Sequence, residues 1–335
     1  MRKLLVIFCL LFLISACSVD DNDVVDNNEL VQDDNNECNY DYDYLMGFQA
    51  CDTSLYECSK PINHQIYFAG SNDGDNWELI KEWEGLSGSV PDLVYYDNSL
   101  LIFIPESNKF RPNIRKINHC FEVVEEIYFD LLDSNGKLHG YVDPSVYSFE
   151  DQLYMTHLYI EELGPAADLT GCDNNYPCDK SMYIAVPKND DLTEFEIIDD
   201  AGLTVELLGM ANGGVYGISD PDLFQLADGS FVMLVSSGAN VYAFVSDSLE
   251  EEFTSPNGNG WLQISNQEGV PSGILVDDEI WIYGNYNDNG FEVIRKGVFN
   301  NLEDKPEFYT VLDGESLFGN KDMMVGSPSI ILWPW

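Results

Sequence analysis

Short apolar runs and polar punctuation alternate along most of this chain. From Gly217 to Leu234 it reads GISDPDLFQLADGSFVML: a loop, an Asp-Pro-Asp entry, an apolar run, an acidic turn and a second apolar run. Runs of this length, rich in Phe, Val, Ile and Tyr and bounded by Gly, Asp and Asn, predict paired β-strands. Four other segments follow the same plan: VPDLVYYDNSLLIFI from Val90, DPSVYSFEDQLYMTHL from Asp143, VPSGILVDDEIWIYG from Val270 and SPSIILWPW from Ser327, the last supplying one strand. Pro91, Pro144, Pro221, Pro271 and Pro328 stand at the strand entrances, where a missing N–H is tolerated.

A second pattern interleaves with the first: a strand, a polar turn, then a strand holding an aromatic. Its copies are IYFAGSNDGDNWELI from Ile66, IRKINHCFEVVEEIYF from Ile114, MYIAVPKNDDLTEFEII from Met182, VYAFVSDSLEEEFT from Val241 and VIRKGVFNNLEDKPEFYT from Val293. Two strands from each pattern make four, the content of one propeller blade, and five copies of each make five blades. The second pattern comes first in the chain and the first pattern comes last. The expectation is therefore an all-β, five-bladed β-propeller of four-stranded antiparallel blades. Pairing of residues 328–335 with N-terminal strands between about residues 45 and 80 would close it and remove the free edges.

Composition agrees with this reading. The 335 residues are 45% hydrophobic and include 19 Tyr and 18 Phe against 15 Lys plus Arg, enough apolar surface for a sizeable core with a β bias. The net charge of −44 argues against nucleic acid or an anionic membrane surface as a partner, and disfavours a strongly anionic substrate. It also serves solubility, and a monomer is expected.

The first residues change the picture. Arg2 and Lys3 precede the apolar run Leu4 to Ala16, which reads as a secretory signal rather than a membrane span. The run ends in Leu-Ile-Ser-Ala-Cys, which resembles a bacterial lipobox; the resemblance implies cleavage before Cys17 and lipidation of that cysteine. Residues 17–37 are dense in Asp and Asn, lack aromatics and read as an acidic disordered tether. The expected organisation is a signal over 1–16, a tether over 17–37 and a propeller over 38–335, at the cell envelope and touching the membrane only through the lipid. Six cysteines remain in the folded part, an even number suited to three disulfides in an exported protein. Cys172 and Cys178 bracket a short loop and form the expected pair; the partners of Cys38, Cys51, Cys58 and Cys120 stay open.

The paired repeats resemble the five-bladed glycosidase propellers, among them glycoside hydrolase family 43 and related secreted propellers. SNDGDNW, Ser71 to Trp77, is similar to the Asp-box turn of sialidase-like propellers, one residue shorter. The resemblance implies an active site at the central mouth, on the face where the inner strands begin, and places the Asp-box-like turn on the opposite face. Glycoside hydrolysis needs one acid and one carboxylate flanking the scissile bond. Carried over from the family 43 pattern, Asp220 matches the pKa-tuning Asp and Glu268 matches the acid. The base position holds Val90, so Asp92 or Asp143 would have to substitute. Asp143 and Asp220 have a plainer role available, shaping the strand entrance.

A sialidase-type arginine trio is disfavoured, because the mature chain has only Arg111, Arg115 and Arg295. Around the mouth, Arg111, His139, Tyr141, Tyr216 and Trp261 are the expected sugar contacts, Trp261 through stacking unless it packs over a blade edge. His157 reads as a core histidine. No cofactor is expected. GNYNDNG, Gly284 to Gly290, offers calcium-type oxygens but lacks an EF-hand spacing. The predicted function is hydrolysis or binding of a neutral glycan, with a non-catalytic propeller holding a glycan or a protein as the alternative.

Overall fold

The computed structural model describes residues 38, 40–105, 112–160, 172, 175–209, 217–258 and 260–334, without the side chains of Tyr141, Tyr159 and Ile160. Five sheets form the blades of a β-propeller. Blade 1 runs Asp92–Tyr96, Ser99–Ile104, Asn113–Ile117 and Val123–Tyr128 from the axis outward. Blade 2 runs Gly140–Phe149, Gln152–Ile160, Cys178–Pro187 and Glu194–Leu207, with Asp130–Leu132 added in parallel at its rim. Blade 3 runs Ser219–Gln225, Phe231–Ser236, Val241–Ser246 and Leu262–Ser265; blade 4 runs Gly269–Val276, Glu279–Asp288, Phe291–Phe299 and Tyr309–Leu312.

Blade 5 is composite. Its inner strand is Met323–Leu332, followed by Tyr44–Asp52, Gln65–Ser71 and the short outer strands Glu78–Leu79 and Leu86–Ser87. Leu332, Ile331, Ile330 and Ser329 pair with Tyr44, Leu45, Met46 and Gly47. The expected closure through 328–335 is therefore present.

Five apolar clusters fill the gaps between successive blades, one per gap. Blades 1 and 2 meet through Phe103, Phe129, Met155 and Phe195, and blades 2 and 3 through Leu158, Met182, Leu223 and Met233. Blades 5 and 1 meet through Phe68, Ile102, Phe121 and Trp333. Each large apolar side chain buried here contributes roughly 1.5–3 kcal/mol. Disulfides join Cys38 to Cys120, Cys51 to Cys58 and Cys172 to Cys178; the last is the expected pair.

The five strand-entry prolines share an unusual backbone. The residue before each proline has positive φ: Val90 at 47°, Asp143 at 48°, Asp220 at 47°, Val270 at 46° and Ser327 at 50°. Pre-proline residues favour extended backbone, and a β-branched residue at positive φ is an outlier costing on the order of 1–3 kcal/mol. In blades 2 to 5 the strand register shifts at this point, which is a β-bulge. A bulge re-aims the side chain that it carries.

Two rings of hydrogen bonds hold these strained entrances. In the lower ring, the residue after each proline accepts from an amide of the next blade. Asp92 Oδ2 accepts from Val146 N at 2.5 Å, Ser145 Oγ from Leu223 N at 3.1 Å and Asp222 Oδ2 from Gly273 N at 2.8 Å. Ser272 Oγ then accepts from Ile330 N at 3.1 Å, and Ser329 Oγ from Leu93 N at 2.9 Å, which closes the circle. The upper, partial ring takes four of the five pre-proline amides. Val90 N donates to Gln49 Oε1 at 3.0 Å, Val270 N to Ser236 Oγ at 2.7 Å and Ser327 N to Asn285 Oδ1 at 2.6 Å. The amide of Asp220 donates to the Asp143 carboxylate.

On the opposite face lies the Asp-box-like turn, between the third and outer strands of blade 5. The Asp73 carboxylate accepts from the amides of Asp75 and Asn76 and from Ser71 Oγ, which holds its pKa below the usual carboxylate range. It is a turn-former, as the sequence implied.

Candidate functional site

The mouth is built from the five pre-proline positions, one per blade: Val90, Asp143, Asp220, Val270 and Ser327. Only blades 2 and 3, which are neighbours, place acids there. Burial first, and then the adjacent Asp220 carboxylate, push Asp143 up to about 8, against the stabilising amide of Asp220. Burial also raises Asp220, opposed by hydrogen bonds from Ser219, whose Oγ lies 2.6 Å from Asp220 Oδ2, and from Ser236. The inner and second strands of all five blades contain no Lys or Arg, so among the described residues no cation of these strands relieves the pair. At neutral pH such a pair keeps one proton, giving one acid and one carboxylate side by side.

The other expected site residues fall elsewhere. Asp92 lies in the lower ring, only 7% exposed, with Ser329 Oγ donating to its Oδ1 at 2.6 Å. It stitches blades rather than facing the mouth. Glu268 is not among the groups that act on Asp143 or Asp220. It is 2% exposed and turns into the gap between blades 3 and 4, where Ser265 Oγ donates to it and Arg295 Nη1 sits 2.7 Å from Oε1. The Arg295 guanidinium stacks on Tyr286 at 4.4 Å and donates to the Phe308 carbonyl. These groups line a polar cleft of ≈ 400 Å³ together with Gln263, Lys305 and Glu307. Blade 1 carries the same Ile-Arg-Lys triplet at 114–116 that blade 4 carries at 294–296, but there Arg115 pairs with Glu126 on the outer strand, at 2.6 Å.

Trp261 packs edge-on against Tyr242 and Phe244 at 5.1 and 5.6 Å, over the blade edge. His139 is buried, with Nε2 3.3 Å from Asp133 Oδ2. His157 is fully buried opposite the Asp143 bulge, and burial, with His139 nearby, drives its pKa down to about 3. It stays neutral. Asn285 and Asn287, in the segment considered for calcium, accept from Ser327 N and Gly290 N. Among the described residues no group of three or more His, Cys, Asp or Glu side chains is placed to hold a metal ion. Arg111, Tyr216 and Cys17 lie outside the described residues, as does the side chain of Tyr141.

One mouth cluster was not anticipated. His64 is 9% exposed, with Nδ1 3.0 Å from Ser89 Oγ and 3.1 Å from Gln49 Oε1, and Nε2 2.8 Å from the Cys58 carbonyl. Glu292 stands close enough for His64 to act on its carboxyl, which burial raises and His64 lowers. His64 sits in the loop after Cys58 and Glu292 near the start of Phe291–Phe299, just past the turn after Asp288; these loop and turn sequences differ from blade to blade and so carry no repeat signal.

No protein-family model matches the sequence, and no curated protein does. Solved structures do resemble it in shape. A thermostable family-43 glycoside hydrolase aligns over 74% of this chain and 86% of its own at 13% identity, with a TM-score of 0.49. An endo-arabinase from Bacteroides thetaiotaomicron aligns over 66% and 80% at 12% identity, TM-score 0.43. An exo-β-1,3-galactanase from Phanerochaete chrysosporium aligns, in two variants, over 68% and 69% of this chain and 50% and 51% of its own at 10% and 11% identity, TM-scores 0.44 and 0.43.

Proposed function

We propose that the protein handles a neutral glycan at the propeller mouth, with Asp143 and Asp220 as the chemical element of the site. The observation that carries this is the pair itself. Two acids occupy equivalent strained positions on adjacent blades, no inner or second strand offers a cation, and Asp143 is pushed up to about 8. A half-protonated pair offers a donor and an acceptor together, which suits vicinal sugar hydroxyls. The acidic surface disfavours anionic sugars.

Hydrolysis is the second reading, favoured by one feature. A carboxyl kept protonated at neutral pH is what a general acid requires, and its ionised neighbour is what a base or nucleophile requires. Under this reading Glu268 is not the acid, since Arg295 and Ser265 already engage its carboxyl oxygens.

Neutral oligosaccharides of pentose and galactose units, screened for binding by calorimetry and for turnover by reducing-end release, test both readings. Asp143→Asn and Asp220→Asn should each weaken binding if the site only binds. If it hydrolyses, each should lower turnover by about 10²–10⁴-fold with binding retained, and Glu268→Gln should alter stability more than turnover. No binding and no turnover at millimolar sugar would sink the proposal.

The signal and lipobox support an envelope lipoprotein anchored through Cys17. Metabolic palmitate labelling should disappear in Cys17→Ser while the propeller still folds; persistent labelling would refute the anchor.

A further inference from the structure

The lower ring uses two chemistries for one task. At Ser145, Ser272 and Ser329 a neutral hydroxyl accepts the neighbouring blade's amide; at Asp92 and Asp222 a carboxyl does so. The two carboxyls are 7% and 6% exposed and act on each other electrostatically. They line the inner end of an axial chamber of ≈ 520 Å³ whose walls include Leu93, Val146, Leu223, Phe224 and Ile330.

The strands packed around them bring no compensating cation. The blade 5 and blade 4 inner strands, Met323–Leu332 and Gly269–Val276, carry no titratable side chain, nor do the second strands Ser99–Ile104 and Phe231–Ser236. The blade 2 inner strand brings Asp143, Tyr141 and Tyr147, and the blade 3 inner strand brings Asp220. The second strand of blade 2 brings Tyr154, Tyr159 and His157, and His157 is held neutral.

We propose that the lower ring is a proton-dependent clasp, which closes the propeller tightly while the Asp92–Asp222 pair holds a proton and loosens when both carboxyls ionise. Two like charges confined in a ring whose described strands bring no counter-ion repel, and both are desolvated. Burial pushes Asp92 up to about 7, and burial together with Asp92 raises Asp222 well above the ordinary carboxylate range. A carboxyl raised in the fold contributes stability that is fully present below its unfolded value near 3.8 and is lost as pH rises through the folded one, here about 7 for Asp92. The clasp therefore weakens between mildly acidic and neutral pH, and Asp222, raised in the same direction, adds to the loss.

The chain supplies its own control, because Ser performs the same task at three of the five positions. Urea unfolding of the whole propeller at pH 5, 7 and 9 would be compared among the parent, Asp222→Ser and Asp92→Asn. Comparison with the parent at each pH removes the general repulsion of an acidic chain, which all share. The parent should lose at least tenfold more in its folding equilibrium constant between pH 5 and pH 9 than either variant does. Parallel pH profiles would overturn the proposal. If a variant fails to fold, carboxyl ¹³C resonances of selectively labelled Asp in the parent decide instead. Two coupled carboxyls titrating above pH 6 that neither move with the Asp143→Asn substitution nor vanish in it support the clasp. Ring carboxyls that are both ionised at pH 5 refute it.

Discussion

Removing residues 328–335 is expected to abolish cooperative unfolding. These residues carry half of the blade 5 inner strand and its pairing with Tyr44 to Gly47. Ser329 serves the lower ring twice, donating to Asp92 and accepting from Leu93 N. Ile330 and Trp333 are 6% exposed, and the Trp333 ring stacks on Phe121 at 5.3 Å. Two large side chains contribute about 1.5–3 kcal/mol each. The opened ring and the bared edge along Tyr44 to Gly47 add several hydrogen bonds of about 1 kcal/mol each. The sum approaches the whole stability of a domain, roughly 5–15 kcal/mol. Circular dichroism of the truncated protein should show no sharp thermal transition. A transition within a few degrees of the parent's would mean that the composite blade does not close the ring.

Much of this fold was legible because propeller physics repeats. Each Pro-led entry and each strand–turn–aromatic copy is a local pattern, and five copies of each leave little choice of architecture. The closure followed from chain order, and the Ser71–Trp77 turn from Asp73, whose bonds are all local.

The site was less legible, for reasons visible in single residues. Asp92 and Asp220 look alike as acids beside a proline, yet one follows its proline and the other precedes it. In the strand entrance that difference decides between holding the next blade's amide and facing the mouth. The residues after the five prolines are Asp, Ser, Asp, Ser and Ser, all short acceptors; this was the sequence signal of the lower ring. Glu268 and Arg295 show a harder limit. The IRK triplets at Arg115 and Arg295 are identical in sequence, but one arginine pairs with Glu126 on the neighbouring outer strand and the other reaches Glu268, the residue before the inner strand of its blade. Which partner it meets depends on residues outside the triplet, and no local pattern encodes that. His64 and Glu292 were hidden for a similar reason: His64 lies in a loop without a counterpart in the other blades, and Glu292 stands near the start of a strand at a position that the repeat does not mark.

The lock between blades 4 and 5 on the face opposite the mouth should respond asymmetrically to mutation. Lys296 is 1% exposed, with Nζ 2.8 Å from Asp75 Oδ1 and 3.4 Å from the Trp281 ring centroid. Tyr309 donates to the same Asp75 oxygen at 2.8 Å, and Tyr283 OH donates to the Gly74 carbonyl at 2.8 Å. Gly74 has φ 70°, and a Cβ there would lie 2.3 Å from Trp281, so the turn docks at backbone contact. Asp75→Ala leaves the ammonium buried with only aromatic faces to answer it. Removing one partner of a buried pair costs about 3–5 kcal/mol; the Asp75 side chain is 45% exposed, so the lower end applies. With about 2–4 °C per kcal/mol in a protein of this size or somewhat smaller, Tm should fall by roughly 6–12 °C. Lys296→Met removes the buried charge, keeps the stem packed on Trp281 and leaves Asp75 to Tyr309 and water. It should cost less than about 1.5 kcal/mol. The double variant Asp75→Ala/Lys296→Met should recover most of the stability lost in Asp75→Ala, because the stranded charge is gone. Equal losses in the two single variants, or additivity in the double one, would show that Lys296 is not held by Asp75.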